Sequence, residues 1–318
     1  MLASLAAACA APFQVFLAAY VVLGPLHYLT EIAWLRERGF FTTERRDPAV
    51  LAGLGALAAS PAVFSSSSMY GAWAMTIGVL AAVGLALRRA PGGAAACAAF
   101  VAAIGLIGAH HPDDALVVAA LTATIVHVYA FTGLFLLSGA LKDRRPTARL
   151  ALAAFVACAA ACFLVANPGL PVGPRFAAAL GTGRFEFVQG ALYGLLYRAR
   201  LNHGALFTDP RSVALARFTA FAYLYHYLNW FSKTAVIRWH EVGARSLGLS
   251  VAGWGAALVL YAWNYAAGVA ALSMLSMLHV TLELPLDALT AAGVARAVLG
   301  RTSARAAAVG AGAADRAG

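Results

Sequence analysis

Charge is what this sequence has least of. Only 11% of its 318 residues are Asp, Glu, Lys or Arg, against about 25% in a soluble domain, and that excludes an ordinary water-soluble globule. Acids are scarcer than bases, 13 against 23, and among the bases only Lys142 and Lys233 are lysine. Cysteine is nearly absent. Cys9, Cys97, Cys158 and Cys162 lie in Ala-rich apolar surroundings without a C-x-x-C pair or zinc-ribbon spacing, which argues against a disulfide scaffold or thiolate metal site. Cys158 and Cys162, one helical turn apart, read as small packing residues. The first 22 residues hold no basic n-region and are expected to lead into a helix, not to form a cleavable signal peptide. There is no fixed-period repeat and no nucleotide-binding loop; Gly181-Thr-Gly183 is too short for a phosphate cradle.

What is present is apolar sequence. The chain is 62% hydrophobic with mean hydropathy +0.77, in runs of about 20 residues, the length a helix needs to cross a bilayer. An all-α, polytopic membrane bundle of about nine transmembrane helices is expected. The spans read as Ala11–Leu35, Val50–Phe64, Met69–Leu87, Gly93–Ala109, Ala115–Leu141, Leu150–Val165, Phe176–Tyr197, Ser212–Ile237 and Leu249–Met277. Pro48, Pro112, Pro146 and the Asn167–Pro174 run separate them, because proline cannot continue a helix. Phe176–Tyr197 is the weakest, since Gly181, Gly183, Arg184, Glu186 and Gln189 interrupt it; a broken or re-entrant helix is the alternative.

If nine spans alternate, 18 of the 23 basic residues fall on one side, Arg198, Arg200, Arg211 and Arg217 among them. That places the chain in a bacterial-type inner membrane, N-terminus outside and C-terminus cytoplasmic. Residues 1–286 form the membrane domain and 287–318 a cytoplasmic Ala/Gly/Arg-rich tail. The net charge of +10 reflects this loop bias, so nucleic acid is not an expected partner; the bilayer and a lipophilic small molecule are. The sequence leaves the oligomeric state open.

Ionisable residues inside spans are costly, about 2.5–3.5 kcal/mol each on insertion scales, and mark functional sites by default. His27 and Glu31 share a face of the first span, four residues apart. His127 lies mid-fifth span. In the eighth, His226, Asn229, Lys233 and His240 follow one stripe. At 1.5 Å per residue, His27, His127 and His226 lie about 17–25 Å from the outer end of their spans and reach similar depths. His279 and Glu283 repeat the i,i+4 spacing but are expected at the inner interface. A second polar group, His110, His111, Asp113 and Asp114 with His240 and Glu241, is expected at the outer surface. Trp34, Trp239 and Tyr197 read as interface anchors.

Imidazole plus carboxylate without soft sulfur suits iron, with zinc, manganese or copper as alternatives. The candidate metal ligands are His27, Glu31, His127, His226, His279, Glu283, His110, His111 and His240; Glu31, Lys233 and Asn229 are candidate catalytic groups. The function expected is a non-haem iron oxidoreductase or oxygenase acting on a membrane-soluble substrate. A proton-coupled transporter using His27, Glu31, Lys233 and Glu283, and a b-haem protein, are the alternatives. The H-x-x-H-H boxes of membrane desaturases and the H-x-x-x-H helix pair of ceramidase-type hydrolases do not occur. The Gly24-Pro-Leu-His27 opening is similar to the Pro-His start of the membrane carotene-cleaving dioxygenases, which have a similar length and iron-binding histidines on several spans. The other histidine spacings differ, so the resemblance covers those few residues alone.

Overall fold

The computed structural model describes residues 1–39, 46–63, 69–89, 93–110, 112–143, 146–166, 169–183 and 185–314. Twelve helices and no strand occur among them. They are α1 (Leu2–Ala10), α2 (Pro12–Arg38), α3 (Asp47–Val63), α4 (Met69–Arg89), α5 (Gly93–His110) and α6, which joins Pro112–Leu121 through Thr122–Phe131 to Thr132–Lys142. Then come α7 (Pro146–Leu164), α8 (Pro174–Thr182), α9 (Phe185–Tyr197), α10 (Pro210–Ser232), α11 (Ala244–Trp263) and α12 (Tyr265–Ala314). Six stretches are long and apolar enough to cross a membrane: all or part of α2, α4, α6, α7, α11 and α12. The chain is an all-α membrane helical bundle.

Local chemistry sets the helix limits. Asp209 caps α10, its Oδ1 accepting from the Arg211 and Ser212 amides at 2.9 Å each, with Pro210 at the first helical position. Gly39, at φ 68°, closes α2 in the left-handed conformation. Where α3 crosses α4, a Cβ at Gly78 would lie 2.6 Å from the Leu54 carbonyl oxygen, so hydrogen alone permits that approach. Cys158 and Cys162 are buried against Phe155, Phe221 and Tyr225 and act as the small packing residues the sequence implies.

Three features depart from the expected topology. The Phe176–Tyr197 segment is two short helices, α8 and α9, which pack on the N-terminal ends of α2 and α10 through Leu180, Phe185 and Leu192. The long Leu249–Met277 segment is split at Asn264, whose extended backbone (φ −146°) ends α11 and whose Oδ1 accepts from the Ala267 amide as α12 begins. Finally, α2 and α10 run in the same direction: Phe16 packs on Tyr223, His27 on His226, and the Trp34 indole donates to the Ile237 carbonyl at 2.6 Å. Strict alternation of the expected nine would have made those two antiparallel.

The basic residues are redistributed in consequence. Arg198, Arg200 and Arg211 lie at the end of the bundle opposite Arg36 and Arg38, beside the start of α10. Arg217 is not a loop charge at all. It is buried, and its guanidinium donates to the Val165 carbonyl at 2.7 Å, capping the C-terminal end of α7. At 287 the helix continues: α12 runs on through Pro285, and Asp287, Ala288 and Val294 are buried. Arg45, Arg144, Arg145 and Arg184 lie outside the described residues.

The parallel pair is testable by side-specific labelling. Cysteines introduced as Arg38→Cys and His240→Cys are expected to react with a membrane-impermeant maleimide from one face of the membrane, and Arg200→Cys from the other. Labelling of positions 38 and 240 from opposite faces would overturn this arrangement.

Candidate metal centre

Four helices each deliver one imidazole to one cluster. His27 comes from α2, His127 from α6, His226 from α10 and His279 from α12, and all four are buried. Centroids of neighbouring rings are 4.7 Å apart for His27–His226, 4.9 Å for His27–His279, 4.8 Å for His127–His279 and 5.3 Å for His127–His226. Glu31 and Glu283 complete the cluster, each one turn beyond a histidine on its own helix. Two of the four histidines lie at or beside π-helical turns, Thr122–Phe131 around His127 and Ala19–Leu23 just before His27. Such turns rotate the face a helix presents and recur at functional sites. The Trp254 indole donates to the Val22 carbonyl at 2.8 Å, supplying a donor to the irregular stretch in α2.

The contacts inside the cluster are all through Nε2. His226 Nε2 lies 2.9 Å from His27 Nε2. Glu31 Oε2 lies 3.1 Å from His27 Nε2 and 3.1 Å from His279 Nε2. Glu283 Oε2 lies 3.4 Å from His127 Nε2 and 3.6 Å from His279 Nε2. Hydrogen bonding alone does not satisfy this set. An imidazole nitrogen has one in-plane position, used either to donate or to accept. His27 Nε2 has two close partners. If it donates to Glu31 it cannot accept from His226, and if it accepts from His226 its lone pair faces a carboxylate oxygen. Both nitrogens of His127 and Oε2 of Glu283 are buried without a hydrogen bond, a costly state in an apolar interior.

These donors form groups that could hold a metal ion. With metal–nitrogen bonds of about 2.0–2.1 Å, neighbouring ligand atoms are about 3.0 Å apart in octahedral and about 3.4 Å in tetrahedral geometry. The observed 2.9–3.6 Å separations fall around those edges. Two overlapping triads, His27–His226–His279 and His127–His279–Glu283, each bring three donor atoms within 4.8 Å of one another. The imidazoles are held from behind. Thr132 Oγ1 lies 2.8 Å from His226 Nδ1, and donation from Nδ1 to that hydroxyl leaves Nε2 free to ligate. Behind His27, the Tyr28 and Tyr227 hydroxyls share a 2.6 Å hydrogen bond and, with buried Tyr223, close that side of the cluster.

Of the residues expected at the site, His27, Glu31, His127 and His226 converge as anticipated. His279 and Glu283 join them fully. They were expected at the interface because α12 was read as starting at Leu249; it starts at Tyr265, so His279 stands about 21 Å into its helix. His240 does not belong. It is exposed in the Trp239–Glu241 turn, just before Gly243, whose amide donates to Glu37 at the end opposite Asp114. His111 and the side chain of His110 lie outside the described residues. Asn229 and Lys233 make no contact with the cluster but line the same cavity, of about 490 Å³, which opens from it along α10. Trp34, expected as an interface anchor, lines that cavity too.

Two residues were missed. Thr132 had no sequence signal, because its partner is 94 positions away. Asp287 had one: His279, Glu283 and Asp287 recur every fourth residue, a single helix face, hidden by ending the span at Met277. Both Asp287 oxygens are buried without a partner.

Thr132→Val, which keeps the shape and removes the hydroxyl, is expected to weaken metal binding about 10–100-fold, measured by competition against a chelator. Unchanged affinity would show that His226 needs no orienting partner. No protein family, curated protein or solved structure matches this chain.

Proposed function

We propose that this chain is an integral membrane metalloenzyme, a non-haem iron oxidoreductase or oxygenase acting on a lipophilic, membrane-soluble substrate. The observation that carries the reading is the doubly contacted His27 Nε2, 2.9 Å from His226 and 3.1 Å from Glu31. His27, His226 and His279 would hold the ion, with His127, His279 and Glu283 as a second, overlapping set of three donors and Glu31 beside His27 and His279. Imidazole and carboxylate donors without sulfur suit iron or manganese. Bound iron would supply redox and oxygen-activating chemistry.

The protein's own contribution is position and exclusion. Phe131, Phe135, Trp34 and Trp230 wall the cavity beside the cluster, so a hydrocarbon is held dry against the metal-binding face. Glu31 and Glu283 are the bases within reach to take up or return a proton. Thr132 sets the His226 tautomer.

Imidazoles packed within 4.7–5.3 Å of each other favour a compact ion over a porphyrin, which needs a flat slot between its ligands. The sealing tyrosines on one side of the cluster favour an enzyme over a proton-coupled transporter, which needs access from both ends. The end at which the cavity opens carries Arg36, Arg38, Arg88 and Lys142, which supports a cytoplasmic orientation for it, and with it an inner-membrane location.

Elemental analysis of detergent-purified protein tests the reading. Iron near one or two ions per chain is expected, without a haem absorption band. His27→Ala and His226→Ala should fall below about 0.2 ion per chain while His240→Ala keeps its metal. Metal-free wild-type protein after growth in iron-replete medium, or full loading in His27→Ala, would refute it.

A further inference from the structure

Both lysines of the chain line the same cavity. All the other basic residues, 21 of 23, are arginine, yet Lys142 and Lys233 alone supply the cations of the cavity that leads to the imidazole cluster. Lysine at a helix end commonly serves only to anchor it at the membrane surface. Here arginine performs that task everywhere else, and neither lysine has an acidic partner among the described residues. Lys233 is half-buried and Lys142 exposed, and both border this one cavity. An ammonium is a compact point charge, suited to a small anion that it need not grip in two-pronged fashion.

The arrangement along the cavity is ordered. Its floor is the cluster with Glu31 and Glu283, acidic and metal-binding; its walls are largely aromatic; its far end is Asn229, then Lys233, then Lys142. Lys233 lies seven residues beyond His226, about 10 Å along α10, and Lys142 fifteen beyond His127, about 20 Å along α6. A volume of about 490 Å³ falls in the range of sites for single small molecules. It suits one acyl chain.

We propose that the cavity takes a single-chain amphiphile with a carboxylate head, a free fatty acid or a related acid. Its head pairs with Lys233 and Lys142, Asn229 donates to it, and the chain runs between Trp34, Phe131 and Trp230 to the imidazole cluster. The part of the ligand that reaches the cluster lies about 10 Å or more from its carboxylate, so the site is specific for a position well down the chain. The identity of the reacting position rests on the metalloenzyme reading; the binding claim does not.

The test is a fluorescence titration of the full-length protein in dodecyl maltoside with cis-parinaric acid and, separately, with its methyl ester. The acid is expected to bind at least about tenfold more tightly, as a charge-assisted pair requires. Lys233→Gln and Lys142→Gln should each reduce that preference, and the double variant abolish it. Arg245→Gln, which removes an exposed charge outside the cavity, should leave it intact. Equal affinity for acid and ester in the wild type overturns the proposal without any variant, and so does an undiminished preference in the double variant. Metal content is measured on the same samples. A wild type that carries its metal but binds acid and ester equally fails this proposal alone; a metal-free wild type that still prefers the acid fails the metalloenzyme reading alone.

Discussion

One nitrogen atom organises this structure. His27 Nε2 is pressed by an imidazole on one side and a carboxylate on the other, and its single in-plane position cannot make a full, two-centre hydrogen bond to each. In water such a conflict dissolves, because solvent supplies the missing donor. At the centre of an apolar bundle it must be met by the protein or by a bound cation. The packing around the site holds the imidazoles in that confrontation. Tyr28 and Tyr227 are tied to each other behind His27, Thr132 fixes His226, and the Trp230 indole donates to Thr30 Oγ1 on the helix that carries His27 and Glu31. Rings locked in this way cannot swing apart to relieve the contact, and a metal site depends on that rigidity.

The chain pays for this cluster only where four helices meet. Three of the four histidines lie about one turn from an irregularity or a glutamate: π-helical turns near His27 and His127, an i,i+4 glutamate for His27 and His279. The parallel course of α2 and α10 matters most. It brings two helices through the bundle in register, so that packing contacts from Phe13 with Val213 to Trp34 with Trp230 align His27 with His226. An antiparallel pair would have aligned them only by coincidence of length.

The site is also lopsided. On one side the tyrosines of α2, α10 and α11 pack against each other; on the other a cavity runs past Trp34 and Trp230 to polar and basic residues. An opening of that kind admits a molecule lengthwise and gives its two ends different surroundings. It also accounts for Asn229 and Lys233, which stand on the same stripe as His226 yet serve a different part of the cavity, about 4 and 10 Å further along the helix. A shared helix face establishes a common direction, and depth then separates the roles.

Much of this protein could be read from its residues alone. Apolar runs of bilayer length, so little charge and the absence of sulfur-ligand spacing dictate a helical membrane bundle with nitrogen and oxygen donors, and the intramembrane cost of His27, Glu31, His127 and His226 marks them before any coordinates. Hydropathy has no direction, however, and it cannot distinguish two helices joined at Asn264 from one long one, or a crossing helix from the broken pair α8 and α9. Those two points reversed the course of α10, removed His240 from the candidates and brought His279 and Glu283 into the centre. Only the tertiary packing decided them, because which ends of two helices lie together depends on contacts between side chains some 200 positions apart, and no local spacing encodes those.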